Sequence, residues 1–231
     1  VYALGQAFFS LSLGMGAMLT YGSYMAKKEN LATAGTYVVI FDTAIALMAG
    51  LMIFPMLGGK PEAGGPGLVF VVLTQQFQSM TGGTAVAIVF FALLAVAALT
   101  STVSLLEVVT SSLVDEWKIS RRKAAIGSTV GIALLGVPSA LSLGGVKWLS
   151  HIYTLDGKPQ GFLDLMNFIF GNIALAVGAL LICIFVLVRW KPANAVDEIA
   201  AGAPWFRKLS KPWIFAMAVL CPAAVLSLLI Y

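Results

Sequence analysis

Gln6-Ala-Phe-Phe-Ser-Leu-Ser-Leu-Gly-Met-Gly-Ala-Met-Leu-Thr-Tyr21 is the stretch whose reading decides the fold. It begins and ends as an apolar membrane helix, yet Ser10 to Gly16 in its middle carries two hydroxyls and two glycines at the depth where lipid tolerates them least. Glycine loosens a helix, and hydroxyls compete for backbone hydrogen bonds. Non-helical backbone inside a bilayer survives only where it is buried in protein or lines a polar cavity, because an unpaired peptide group there is costly. Ser10 to Gly16 is therefore expected to break a spanning helix and to form a binding site.

The surrounding composition supports that setting. The chain has 231 residues, 60% hydrophobic and 10% charged, with a mean hydropathy of +0.96; soluble domains carry about 25% charged residues. It reads as an integral membrane protein. The net charge is +4, but the basic residues fall in short loops between apolar runs. That is the positive-inside pattern of a membrane protein and not a nucleic-acid patch, so no nucleic-acid partner is expected. Cys183 and Cys221 lie singly in apolar segments without a second Cys or a His at ligand spacing, and read as free buried thiols. The absence of an initiator Met and of a basic region before the first apolar run predicts the later part of a longer protein rather than a signal peptide.

With about 20 apolar residues needed to span, six spans are expected, over residues 2–25, 36–56, 84–113, 124–143, 162–188 and 213–231, with an extracellular loop over 57–83 and a cytoplasmic loop over 189–212. Eleven of the fourteen basic residues follow spans one, three and five, which places those connections in the cytoplasm. The Gly58 to Gly67 loop lacks the Gly-Lys-Ser/Thr ending and the preceding strand of a phosphate cradle. It reads as a flexible external loop, followed by a short helix from Leu68 to Met80. Ser120 reads as an N-cap leading into span four. His151, alone in an external loop, reads as a surface histidine.

Two carboxylates, Asp42 and Glu107, fall well inside spans, where a charge costs at least about 2.5 to 3.5 kcal/mol. Asp42 is either an interfacial carboxylate, one to two turns after a helix start near Thr36, or a functional group. Glu107 either lines a route or pairs with a neighbouring helix. Span three carries Thr100, Ser104, Glu107 and Ser111 on one helical face, with Ser101 and Thr102 beside Thr100. These hydroxyls serve either as helix packing contacts or as part of a sodium site, since a hard cation takes hydroxyl and carbonyl oxygens from a loosened helix.

Gly5-Gln-Ala-Phe-Phe-Ser-Leu-Ser-Leu-Gly-Met-Gly16 closely resembles the broken sixth helix of the neurotransmitter:sodium symporter family, the leucine-transporter fold. Phe41-Asp-Thr43 with Ile53-Phe-Pro55 resembles its seventh helix. Ala97-Ala-Leu-Thr-Ser101 with Val114-Asp-Glu-Trp-Lys-Ile-Ser-Arg-Arg-Lys123 resembles its eighth, and Gly161-Phe-Leu-Asp-Leu-Met-Asn-Phe168 the start of its tenth. The resemblance implies an all-α, polytopic membrane helix bundle. The chain would be the second inverted repeat of a leucine-transporter-type fold with a discontinuous first helix, about helices six to eleven, in the plasma membrane. Its partners would be the bilayer, a small amino acid and the N-terminal half of the same transporter.

Residue by residue, the resemblance implies that the carbonyls of Phe9 and Ser10 and the Ser12 hydroxyl receive the substrate ammonium, at the negative end of a half-helix. Phe9 would cap the pocket, and Met15, Ser101 and Leu105 would line its side-chain end. Ser10 and Asp42 would belong to one sodium site, and the Ala97 carbonyl with the Thr100 and Ser101 hydroxyls to a second; the missing half would complete each. Met15 stands where relatives are often aromatic, which fits a pocket adaptable to several hydrophobic amino acids. Asp42 stands where relatives often have Asn, and its fixed charge implies independence from chloride. Asn167 occupies the place of an outer-gate carboxylate, with Asp164 one turn earlier.

The expected activity is sodium-coupled import of neutral hydrophobic L-amino acids by alternating access. The alternatives are a membrane receptor that binds an amino acid without moving it, and a proton-coupled permease of related fold. No enzyme is expected: an intramembrane protease needs two aspartates or a Ser/His pair at membrane depth, and neither is visible.

Overall fold

The structure, a computed structural model, describes residues 2–57, 65–155 and 158–230. Most of the glycine-rich loop, residues 58–64, and the terminal Tyr231 lie outside the described residues. Among the described residues the chain is all-α apart from one small hairpin. Helix α1 (Tyr2–Ser10) and helix α2 (Ala17–Tyr24) flank the expected break. They are followed by α3 (Leu31–Met56), the short α4 (Leu73–Ser79), α5 (Gly83–Trp117) and α6 (Arg121–Leu141). A single turn, α7 (Lys147–Ser150), leads to the antiparallel hairpin of β1 (Tyr153–Leu155) and β2 (Lys158–Gln160), with Tyr153 opposite Gln160. Helices α8 (Phe162–Trp190), α9 (Pro192–Gly202) and α10 (Pro204–Leu229) complete the order. Among the described residues, α3, α5, α6, α8 and α10 are long and apolar enough to cross a membrane.

Helix boundaries differ from the apolar runs in ways the caps explain. α3 starts at Leu31, five residues before the expected Thr36, because the Asn30 side chain accepts a hydrogen bond from the Thr33 N–H (2.9 Å) and satisfies an otherwise orphan donor. Ser120 does precede α6, but its hydroxyl makes no capping bond; its backbone carbonyl accepts from the Ala124 N–H (3.0 Å). α5 runs on to Trp117 and stops at Lys118, whose positive φ of 55° ends the helix. At 35 residues, α5 is about 50 Å long, well beyond the roughly 30 Å hydrocarbon core.

The chain divides into two compact units, Tyr37–Ser104 and the remainder, Val1–Thr36 with Leu105–Tyr231. In the smaller unit α4 packs on α5 through aromatic rings. The buried Phe77 lies 5.4 Å from Phe90 between centroids, and Phe70 stacks on Phe91 at 6.1 Å. A helix thus occupies most of the Leu68 to Met80 segment, and Leu73 and Phe77 are its buried face. Other apolar side chains of this unit, such as Leu51 and Phe54, are exposed, as on a surface that meets lipid or further helices.

In the larger unit the second half of α10 lies along the middle of α8, with Ala176, Ala179 and Val225 buried between them and Phe8 of α1 packed on the cluster. Small residues at such a seam let helix backbones approach closely. A close approach of this kind falls on the break. A Cβ built on Gly178 would strike the Gly14 carbonyl oxygen, and one built on Gly14 would strike the Leu175 carbonyl. The opposite end of this unit has its own core, where Val196, Ala203 and Phe206 pack with Ala32, Trp213 and Ile214. Cys183 and Cys221 are both free thiols.

The Gly14 and Gly178 contact leads to a direct expectation for the intact protein. Gly178→Ala should lower the thermal unfolding midpoint in detergent, at a cost of about 1–3 kcal/mol for overpacking, while Gly127→Ala, with nothing within 4 Å of its added methyl, should not lower it. Equal midpoints for the two variants would show that the break does not need this approach.

Candidate functional site

Helix α1 ends in a defined way. The Leu13 N–H donates to the Phe8 carbonyl (3.0 Å) and the Ser12 N–H to the Phe9 carbonyl (3.1 Å), with Ser12 at φ 53°. This is a Schellman motif, the usual means of satisfying the last carbonyls of a helix. The left-handed position normally belongs to glycine, and a side-chain-bearing residue there costs about 1 kcal/mol. The chain nevertheless holds a serine at that point. Gly14 and Gly16, both at φ 82°, carry the turn back into α2. Residues 11–16 are thus non-helical and half-buried, where the sequence predicts the break.

Beside the break lies a cavity of about 500 Å³. Phe9, Met15 and Leu105, three of the residues expected to contact substrate, line it together. Ser10 and Ser12 are not among its lining residues. Its remaining walls, apart from Asn167, went unread in the sequence. Val108 and Val109 follow Leu105 by three and four residues on the same face of α5, Ile132 comes from α6, and Met166, Asn167 and Phe170 come from α8. The spacing of Val108 and Val109 from Leu105 is a legible signal; the contributions of α6 and α8 have no local one. Asn167 and Phe170 of that wall lie in a π-helical stretch, Asn167–Ala174, a widening common at functional sites. Asn167 is the cavity's one amide, whereas the Asp164 carboxylate accepts the Gly161 N–H (2.8 Å) and caps the start of α8.

The residues expected to hold sodium divide between the two units. Ser10 belongs to the larger one, while Asp42, Ala97, Thr100 and Ser101 belong to Tyr37–Ser104. Asp42 is eleven residues after the α3 start at Leu31, about 16 Å along the helix. Its reading as a carboxylate one to two turns from a helix start is therefore corrected, because the Asn30 cap begins the helix earlier. On α5 the Thr100 hydroxyl donates to the Ala97 carbonyl (2.9 Å). Two of the three proposed oxygens of the second site thus lie side by side and uncharged, with lone pairs left on each. That donor set fits a hard monovalent cation, and no group of three His, Cys, Asp or Glu among the described residues would hold a transition metal. The neighbouring hydroxyls of Thr102 and Ser104 also bond carbonyls one turn back, so these members of the polar stripe satisfy their own helix.

Glu107, for which two readings stood open, is paired. The Tyr24 hydroxyl donates to its Oε1 (2.5 Å), and Arg121 Nη2 lies 2.7 and 2.6 Å from its two oxygens. The cluster joins the end of α2, α5 and the first residue of α6. The carboxylate is mostly buried while the guanidinium is exposed.

A family model described as "Sodium:neurotransmitter symporter family" matches residues 1–231. Among curated proteins the chain is 33% identical over 229 residues to the uncharacterized sodium-dependent transporter YhdH of Bacillus subtilis, covering 98% of this chain and 49% of that one. It is 40% identical over 189 residues to an uncharacterized sodium-dependent transporter of Haemophilus influenzae, covering 80% of this chain and 40% of that one. The crystal structure of MhsT in complex with L-phenylalanine is similar at a TM-score of 0.85 and 42% identity, over 99% of this chain and 50% of that one. The chain thus spans about half the length of the relatives it matches.

The Tyr24, Glu107 and Arg121 cluster gives a measurable outcome. Glu107→Ala and Arg121→Ala in the intact protein should each lower the thermal midpoint, and the double variant should be no less stable than Glu107→Ala alone, since residues acting as a unit are not additive. Losses that simply sum would mean that the two groups act separately.

Proposed function

The chain belongs to the sodium:neurotransmitter symporter family, and on that premise we propose that it supplies about helices six to eleven of a symporter coupling inward sodium flow to uptake of a neutral, hydrophobic L-amino acid. The observation that carries the reading is the broken helix beside an apolar cavity lined by Phe9, Met15 and Leu105. A free amino acid has a charged end and, in this class, an apolar end; the two features answer one each.

The ammonium is proposed to lie at the end of α1, where the Phe9 carbonyl, already accepting from Ser12, keeps a second lone pair. The Ser10 carbonyl and the Ser12 hydroxyl are assigned to the same group, at the negative end of the half-helix. Phe9 caps the site, and Met15 and Leu105 hold the substrate's side chain. The unbranched thioether of Met15 adapts to different apolar shapes, in keeping with the phenylalanine found in the similar MhsT structure. Serine at a left-handed position that favours glycine also supports a role for its hydroxyl, because strain of this kind persists where function requires the residue.

Sodium is cargo in this scheme. Ala97, Thr100 and Ser101 are proposed to hold one ion through uncharged oxygens, and Asp42 to bind a second with a fixed charge that makes chloride unnecessary. An ion and a substrate that favour the same conformation each raise the other's affinity by the same factor. Release of the ion towards the cytoplasm then loosens the inner half of the site, and the substrate follows.

Two experiments on the intact transporter in sealed vesicles test this. Thr100→Ala with Ser101→Ala should abolish sodium-dependent accumulation of labelled phenylalanine or leucine; unchanged sodium dependence would remove those residues from the ion site, and binding without accumulation in the parent would favour a receptor. Asp42→Asn should weaken sodium-dependent substrate binding at least tenfold, the scale of a lost charged ligand worth about 1.4 kcal/mol or more, with partial rescue by chloride. Uptake equal to the parent would make Asp42 structural only.

A further inference from the structure

The end of α8, the connection through α9 and the start of α10 carry five basic residues, Arg189, Lys191, Arg207, Lys208 and Lys211, against the acidic pair Asp197 and Glu198. Arg207 is neutralised by Asp197 (Nη2 to Oδ1, 3.0 Å). Among the described residues the other four cations have no carboxylate within ion-pair distance, and all are exposed. α9 is clamped against the start of α10 by the core of Val196, Ala203 and Phe206. Between the two helices opens a cavity of about 310 Å³, with Val196 and Ile214 as apolar floor and Asp197, Arg207 and Ser210 as polar rim. Trp190 and Trp205, partly exposed at the same connection, are side chains that settle at the level of lipid headgroups.

Lys191 adds an independent observation. Its backbone sits at φ 71°, ψ 133°, a conformation that glycine adopts freely and that strains a residue with a side chain. The residue that bears this strain is a cation. Ala193, two residues on, lines the cavity, and Lys208 and Lys211 adjoin the rim residues Arg207 and Ser210 in sequence.

We propose that this groove binds an anionic membrane phospholipid. Its phosphate is taken by Lys191, Lys208, Lys211 and the remaining donors of Arg207, and the glycerol and upper acyl chain lie over Val196 and Ile214. A lipid is the occupant because the groove lies between α9 and the start of α10, one of the helices long and apolar enough to cross the membrane, and its apolar floor has beside it three exposed lysines, Lys191, Lys208 and Lys211, without a carboxylate at ion-pair distance among the described residues.

The test uses the intact transporter taken from mixed vesicles of phosphatidylglycerol and phosphatidylcholine, with retained lipids counted by native mass spectrometry. The parent should retain phosphatidylglycerol preferentially. Lys191→Gln, Lys208→Gln and Lys211→Gln should each lower that retention roughly fivefold and leave phosphatidylcholine unchanged. Lys191→Gly should lose the lipid equally while raising the thermal midpoint in lipid-free detergent, which separates loss of binding from loss of folding. Lys118→Gln with Lys123→Gln, which removes charge from the connection after α5 and from the first turn of α6, should retain phosphatidylglycerol as the parent does. No preference in the parent, an equal loss in the Lys118 and Lys123 variant, or displacement of the lipid by dissolved inorganic phosphate would overturn the proposal.

Discussion

A peptide group in hydrocarbon must find a hydrogen-bond partner within the protein, and a helix interrupted at membrane depth meets that constraint in its most demanding form. The interruption after Ser10 meets it in two steps. The Schellman motif returns the Leu13 and Ser12 N–H groups to the Phe8 and Phe9 carbonyls. The loop is then laid against α8 so closely that Gly14 and Gly178 exclude any side chain between them. Much of the larger unit follows: Ala176 and Ala179 bring α10 onto the adjacent turns of α8, and Phe8 packs on the same seam from the end of the broken helix.

Charge is handled with similar economy. Glu107 is shielded by a guanidinium and a phenol from two other helices, so a carboxylate well inside α5 needs no ligand to account for it. The Ala97 and Thr100 oxygens bear no net charge and lie 2.9 Å apart on one turn. Asp164 is drawn into capping α8, which leaves Asn167 as the polar side chain that α8 presents to the cavity.

Both ends of the larger unit carry a serine or lysine where backbone geometry favours glycine: Ser12 in the break, Lys118 after α5 and Lys191 after α8. Ser12 places a hydroxyl at a helix end, and Lys191 places a cation at the start of α9. In each case a small loss in backbone energy holds a chemical group at a helix terminus, where partial charges from the unpaired peptide groups are already concentrated.

The sequence by itself determined the membrane setting, the helical class, the place of the break and the family, because these depend on local quantities: apolar run length, hydroxyls and glycines at unfavourable depth, and motif order. Of the six residues it assigned to substrate, Phe9, Met15 and Leu105 line a common cavity, while Ser10, Ser12 and Ser101 are not among its lining residues. Only the tertiary structure showed that Gly14 meets Gly178, that Glu107 is bound by Tyr24 and Arg121, and that Ile132 and Phe170 close the cavity wall. Those partners are separated by long stretches of chain, 83 residues in the case of Tyr24 and Glu107, and no periodicity within one helix records which face of another it will meet. The Asn30 cap was a local signal overlooked in favour of hydropathy, since a cap fixes where hydrogen bonding begins and hydropathy only where lipid begins. The contacts that give the site its shape are decided by packing between helices, and packing depends on side-chain volumes brought together from the whole chain.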